Sequence, residues 1–483
     1  MYIRHLAVDN LKRLGRFELD FTHRGEPRMW TVLIGENGTA KTSLLQAIAL
    51  AAAGYKEVSG LAGSAVKHLC DRRKEESMSI EVEFMFGPGS VAGGSKIHPL
   101  ASPKARHRPA GLELRSRVRL PFGTTSLDAD AHYLGVPSKS DTRDPLAEAR
   151  ATNAPLWFVA GYGISRALPD ANETPTLTRP SIERLEPLFR QKQLASIGFA
   201  NHFLEKDQRE NRKLGETSRR FSRMLNQAVK LGGSDLFPGL ARLELRGQGG
   251  TRSSMSLIES DRFYQVMARN QDPVAIAGVA LSHGYQSTFA WIADLIGHVL
   301  LESKTELDTT DMEGLVLIDE IDLYLHPTWQ ARFIPALRRV FPRMQFVATT
   351  HSPVVLSSLA PHEVVRLVVD EETGDIVQGG WDRQGGQFRP GVQDAEHQPD
   401  PRLMTGGELY RTWFGLEGMT PNPLGEKLRR LQVLAAHPKP TGAQSRELKE
   451  LLGQMRRELI QRLGRAEGTK AFEDLSANRG SAQ

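Results

Sequence analysis

Nine consecutive residues, Gly35-Glu36-Asn37-Gly38-Thr39-Ala40-Lys41-Thr42-Ser43, bring together glycines, a lysine and three hydroxyls. They follow an apolar run, Trp30 to Ile34, and open a helix-period stretch, Thr42 to Ala53, that Gly54 stops. Strand, glycine loop and helix are the context in which successive backbone N–H groups and a helix N-terminus form a phosphate cradle. Lys41 would reach the β- and γ-phosphates, and Thr42 would offer its hydroxyl to magnesium. Ala40 stands where glycine is usual; a helical φ would tolerate it at the cost of one methyl near the phosphates.

Three further segments carry chemistry. Leu315-Val316-Leu317-Ile318-Asp319-Glu320 reads as a buried strand whose end presents two carboxylates. Asp319 would hold magnesium and Glu320 would orient and deprotonate the attacking water, although apolar strands ending in acids are also common. Thr349-Thr350-His351-Ser352-Pro353 follows the strand Gln345 to Ala348, where His351 can face a γ-phosphate or serve a structural role. Leu281-Ser282-His283-Gly284 precedes an apolar helix, Phe289 to Leu301. Ser282 and the Gly284 amide form either a second anion site or an ordinary helix cap.

The order of the four segments is that of the ABC ATPases. The chain resembles the SMC, RecF and OLD branch in Gly35-Glu36-Asn37-Gly38, Leu281-Ser282-x-Gly284, Ile318-Asp319-Glu320-x-Asp322 and Thr350-His351-Ser352-Pro353. Leu325-His326-Pro327 is similar to the D-loop of OLD-type ATPases. The resemblance covers roughly residues 1–369 apart from insertions. It implies ATP and magnesium as cofactors, hydrolysis in a site completed by a second protomer, and Lys12 close to the phosphates. The family's glutamine after the mid-chain strand Trp157 to Ala160 is missing. Gly161-Tyr162-Gly163-Ile164-Ser165-Arg166 stands there; the segment could carry the coupling role, with no metal ligand assigned in it, while its glycines read as a tight turn.

The expected fold is α/β: a P-loop ABC-ATPase head with an antiparallel β-lobe and helical insertions, and no coiled-coil arm, because no long heptad run exists. The expected division is 1–153, an N-terminal ATPase lobe with the phosphate loop and a β insertion; 154–285, a helical insert ending in the signature; 286–369, a C-terminal lobe with the acidic strand and the histidine; and 370–483, a linker and helical tail. Insertions of about 54–153 and 165–278 are expected to decorate the head.

With 483 residues and 62 basic against 57 acidic side chains, the chain is ordinary globular material with a net charge that permits nucleic-acid contact without showing it. Arg115, Arg117 and Arg119 share one strand face. Arg209, Arg212, Lys213, Arg219, Arg220 and Arg223 share a polar helical region in which acids are interleaved. The single cysteine, Cys70, excludes an intrachain disulfide and a multi-cysteine zinc site. No apolar run approaches the roughly 20 residues that span a bilayer, and the expected location is the cytoplasm. The acids Asp370-Glu371-Glu372 and Asp394-Ala395-Glu396 read as solvated loops, with no nuclease motif around them. Leu448, Leu451, Leu452, Met455, Leu459 and Leu463 form a helical stripe that suits either a folded-back helical pair or a docked partner.

The compact form with Leu-Ser-x-Gly-Tyr and Gly-Tyr-Gly-x-x-Arg resembles stand-alone, Septu-type (PtuA-like) ATPases of bacterial defence, AAA_21-like proteins that act with a separate nuclease. The function this implies is a dimeric or higher, head-to-tail, ATP-driven switch that binds DNA or RNA and controls a partner effector in antiphage defence or DNA repair. A slow-turnover nucleotide-sensing scaffold without a nucleic-acid role is the alternative.

Overall fold

The computed structural model describes residues 1–85, 113–134, 144–151, 157–168, 177–210, 215–245, 262–267, 271–303, 306–381, 388–391, 398–416, 427, 430–431, 434, 441–465 and 467–470. Contacts divide the chain into two units, Met1–Gly406 and Gly407–Gln483.

The first unit is built on two sheets. The larger has seven strands in the order Phe388–Pro390, Ile376–Trp381, Val364–Val369, Trp30–Gly35, Met344–Thr349, Gly314–Ile318, Val159–Tyr162. The last five in that order are parallel and the first two are antiparallel additions. The inner strands are short continuous apolar runs, as expected where both faces are covered. Their registers pair Leu33 with Thr349, Ala348 with Ile318, and Ile318 with Tyr162. The carboxyl ends of these strands therefore lie side by side, which is where open α/β sheets place ligands.

The second sheet is antiparallel, in the order Leu14–Asp20, Tyr2–Leu11, Met78–Met85, Glu113–Leu120, Asp128–Tyr133. Met78–Met85 alternates buried and half-buried residues without a break. Ile80, Val82 and Phe84 point into the core, while Glu81 and Glu83 point outward. Between the sheets runs the helix Lys41–Ala53, apolar all round and buried except at Thr42 and Gln46. Gly54 ends it at φ 80°, and a Cβ there would stand 2.6 Å from the Ala147 amide nitrogen.

The helices Phe199–Arg209 and Glu216–Leu236 form the insertion. A small sheet, Leu240–Glu244, Arg262–Gln265 and Val274–Ala277, leads from it into the long helix His283–Glu302. The second unit contains the helix Gly442–Leu463, which begins with a Thr441–Gln444 capping box. No helix among the described residues is long and apolar enough to cross a membrane.

Four expectations need correction. The segment 54–153 does not merely decorate the head, since it supplies three of the five antiparallel strands. Residues 370–401 are not simply a linker: Ile376–Trp381 and Phe388–Pro390 extend the main sheet, and the contact boundary falls after Gly406. Gly161 and Gly163 make no tight turn. Gly161 lies in the strand Val159–Tyr162, where a Cβ would meet the Leu188 side chain at 2.4 Å. One on Gly163 would meet the Pro187 carbonyl at 2.3 Å, so both glycines admit a close neighbour. Finally, Ala40 is not helical, as the site geometry shows. The expected acids Asp394 and Glu396, and Arg212, Lys213 and Leu428, lie outside the described residues.

Candidate functional site

A cleft of about 390 Å³ opens at the carboxyl ends of the central strands. Lys12, Asn37, Gly38, Thr39, Ala40, Lys41, Thr42, Ser43, Asp319, Glu320 and His351 line it, with Arg13, Thr349 and Ile376. Gly35 stands behind the loop. A Cβ on it would come within 2.6 Å of both the Leu367 carbonyl and Thr39 Oγ1, so the position requires glycine's close approach.

The loop is shaped by its own hydrogen bonds. Thr39 Oγ1 donates to the Glu36 carbonyl at 2.7 Å. Lys41 Nζ donates to the carbonyls of Gly35 and Glu36 at 2.8 and 2.9 Å. Burial pushes the Lys41 ammonium down, and Asp319 and Glu320 partly offset this. Ala40 caps the helix at φ 57°, ψ 18°, without a side-chain cap bond. The first amides of a buried helix therefore face the cleft without a capping side chain, an arrangement suited to an anion. The left-handed φ is costly for any residue with a Cβ, so the alanine strains the backbone rather than only crowding a phosphate.

The acidic strand is tied to the loop from both sides. Thr42 Oγ1 donates to Asp319 Oδ2 at 2.7 Å, and Thr349 Oγ1 donates to Asp319 Oδ1 at 2.5 Å. The same Thr349 oxygen accepts from the Glu320 amide at 2.8 Å. Glu320 itself sits at φ 45°. Lys12, at φ 53° in the turn between the first two strands, donates from Nζ to Ser43 Oγ at 2.7 Å. Burial pushes this lysine down too. His351 is exposed at the rim.

A carboxylate and a hydroxyl 2.7 Å apart beside a phosphate cradle form a hard-oxygen set suited to magnesium held jointly by protein and phosphates. Among the described residues no cluster of three or more His, Cys, Asp or Glu forms a self-sufficient metal cage.

Ser282 and Gly284 are not among the residues lining this cleft. Ser282 is the exposed N-cap of His283–Glu302, again without a side-chain cap bond. Gly284 packs against the turn after the acidic strand, where a Cβ would stand 2.6 Å from the Tyr324 carbonyl oxygen. Tyr324 is exposed and left-handed, at φ 66°. His326, expected in a D-loop, caps the next helix by accepting from the Thr328 amide.

Two residues at the site take roles that their sequence patterns do not announce. Thr349, two positions before His351, bridges Asp319 and Glu320. Arg166, in the segment replacing the family's glutamine, is 5% exposed and donates to the Asp319 and Glu320 carbonyls at 3.0 and 2.7 Å. Burial pushes it down to about 10, so it stays charged at neutral pH, with Asp319, Asp322 and Glu320 favouring the charge. Behind it, Tyr162 donates to Asp294 Oδ2 at 3.1 Å and the Ser196 amide to Oδ1 at 3.2 Å, inside the core.

The fold and this site have the arrangement expected of a P-loop nucleoside triphosphatase. Residues 141–357 match the AAA_21 family, described as "AAA domain, putative AbiEii toxin, Type IV TA system". That match makes residues 141–357 similar to an AAA_21 ATPase domain. It is 24% identical to a Septu protein PtuA of Bacillus mycoides over 93% of its length, and 35% identical to one from Bacillus thuringiensis over 26%. It spans 50% of the first relative and 31% of the second. An SMC head solved with the C-terminal winged-helix domain of ScpA aligns over 78% of the chain and 98% of that structure, at 14% identity and a TM-score of 0.47.

Proposed function

We propose that this ATPase is a head-to-tail dimeric switch that binds nucleic acid and controls a separate effector, such as a nuclease, in cytoplasmic antiphage defence or DNA repair. The observation that carries the dimer is the placement of two helix starts without side-chain caps. One, after Ala40, faces the cleft; the other, at Ser282, is exposed and is not part of it. A second copy can bring its Ser282 and Gly284 amides to the open side of the first copy's phosphate site.

In this reading Lys41 and the amides of Gly38 to Ser43 bind the phosphates, with Lys12 and Asn37 at their edge. Thr42 and Asp319 hold magnesium, which would neutralise phosphate charge. Glu320 accepts the proton of the attacking water, and His351 hydrogen-bonds the γ-phosphate. The defence role is supported by the similarity to Septu PtuA proteins.

The nucleic-acid surface falls better on the insertion than on the antiparallel sheet. Arg115 and Arg117 are each paired with Glu81, Arg115 also with Glu83, and Arg119 with Asp130. On the helix Glu216–Leu236, Arg219, Arg223 and Lys230 are exposed, and Arg223 meets the exposed Glu306 at 3.6 Å. The C-terminal stripe is a weaker docking candidate. Met455 and Leu459 are buried, and Glu458 and Glu447 pair with Lys427 and Arg430 of the same unit, as in a folded-back pair.

The shared site is tested by mixing Lys41→Ala protomers with Ser282→Arg protomers. Each variant alone should be inactive, and heterodimers should recover activity through one intact site. Verified heterodimers without any recovered hydrolysis would rule out the shared arrangement.

A further inference from the structure

We propose that Arg166 is a positioning residue for hydrolysis: its guanidinium fixes the Asp319–Glu320 backbone and thereby aims the Glu320 carboxylate at the phosphate cleft. The proposal rests on the reading of Glu320 as the base.

Glu320 occupies a left-handed conformation, at φ 45°, that a residue with a Cβ adopts only when its surroundings over-determine it. The structure shows what does so. Its amide donates to Thr349 Oγ1 at 2.8 Å. Its carbonyl accepts from Arg166 Nη2 at 2.7 Å and from the Leu323 amide at 3.0 Å. One residue earlier, Asp319 is gripped in the same way: its amide donates to the Tyr162 carbonyl at 2.8 Å and its carbonyl accepts from Arg166 Nη1 at 3.0 Å. The single segment Tyr162 to Arg166 therefore brackets both acidic residues.

The chemistry of the grip is specific to arginine. A rigid, planar fork can serve two successive carbonyls at once, whereas an ammonium is a point donor. A buried guanidinium is costly, and here it spends its donors on backbone rather than on a carboxylate salt bridge. Asp319 and Glu320 keep their side chains free to face the cleft, where Asp319 meets Thr42 and Thr349. The neighbouring carboxylate of Asp322 accepts from Thr350.

The test is a mutant cycle on the full chain, reading ATP turnover and nucleotide affinity. Arg166→Gln should lower kcat by about 10²-fold, the scale of a misplaced catalytic group, while ATP affinity stays within about twofold. Arg166→Lys should lose less, roughly tenfold, because it can reach one carbonyl. In the Glu320→Gln background the further cost of either change should fall well below its cost in the parent, since the group being aimed is gone and only the hold on Asp319 is left to lose. A full additional loss in that background, or unchanged kcat in both single variants, overturns the proposal. If Arg166→Gln does not fold, Arg166→Lys decides through the same cycle. Turnover at the parent rate in Glu320→Gln alone would remove the reading of the base itself. A loss there with none at Arg166 would remove only the positioning role.

Discussion

The hydroxyl of Thr42 donates to Asp319 Oδ2 at 2.7 Å, joining the first turn after the phosphate loop to the end of the acidic strand, 277 residues away. Both oxygens are hard ligands, and together with substrate phosphates they would make a magnesium site of the kind that uses few protein groups. Asp319→Asn removes its charge and Thr42→Val its hydroxyl. We expect each to lower the affinity for magnesium by roughly 10- to 100-fold. ATP titrations across a magnesium series will show this, and binding in EDTA should change little.

Ala40 supplies a second prediction. At φ 57° it lies where a Cβ costs about 1–2 kcal/mol relative to the right-handed region. Ala40→Gly relieves that strain but adds freedom to the unfolded chain. The expected net gain is up to about 1 kcal/mol in denaturant unfolding, with ATP binding intact. A loss of stability would mean that the loop is not strained there.

The phosphate loop, the acidic strand and the histidine segment were legible because each is a local pattern: an apolar run with its polar residues at one end. What stayed hidden depends on contacts between distant segments. Residues 376–381 fall in the stretch, rich in Gly, Pro and Asp, that the sequence presents as a linker. The structure shows that Gly379 faces the Phe388 ring, where a Cβ would stand 2.3 Å away, so the glycine serves a strand pair. Gly161 and Gly163 misled in the same way. Arg166 stands out in the sequence as the end of Gly-Tyr-Gly-x-x-Arg, but its role does not, because its partners are backbone carbonyls, which any residue type presents. The expectation of a helical Ala40 failed because φ at a loop-to-helix junction is set by the loop's closure rather than by the helix that follows.

Asp294 should leave a mark on the pH dependence of stability. Burial pushes its carboxyl up to about 6, against hydrogen bonds from Ser196 and Tyr162 and the nearby Lys192 charge, which pull it down. His298, 3.6 Å away, is pushed well down by burial. Between about pH 4 and 6 the native carboxyl holds a proton that the unfolded one has released, so its contribution falls as pH rises through that window. Relative to Asp294→Asn, the parent should lose on the order of 3 kcal/mol between pH 4 and 7. Parallel urea-unfolding curves for the two proteins at both pH values would contradict this.

For nucleic acid, Arg219, Arg223 and Lys230 on the insertion helix are the groups to reverse. Changing all three to glutamate should weaken duplex binding and flatten its salt dependence by about 0.9 log unit for each phosphate no longer neutralised. The same reversal at Arg115 and Arg117 should have little effect on binding, because those side chains are already paired with Glu81 and Glu83 at 2.5–3.1 Å. The reverse result would move the surface to the antiparallel sheet.

The central claim is that ATP is cleaved in this cleft with Glu320 as the base. It is tested most directly by Glu320→Gln, followed by filter binding of γ-labelled ATP and by phosphate release on the same sample. The account predicts retained ATP binding and phosphate release slowed by about 10²–10⁴-fold, the range for losing a general base. Phosphate release at the parent rate would contradict it.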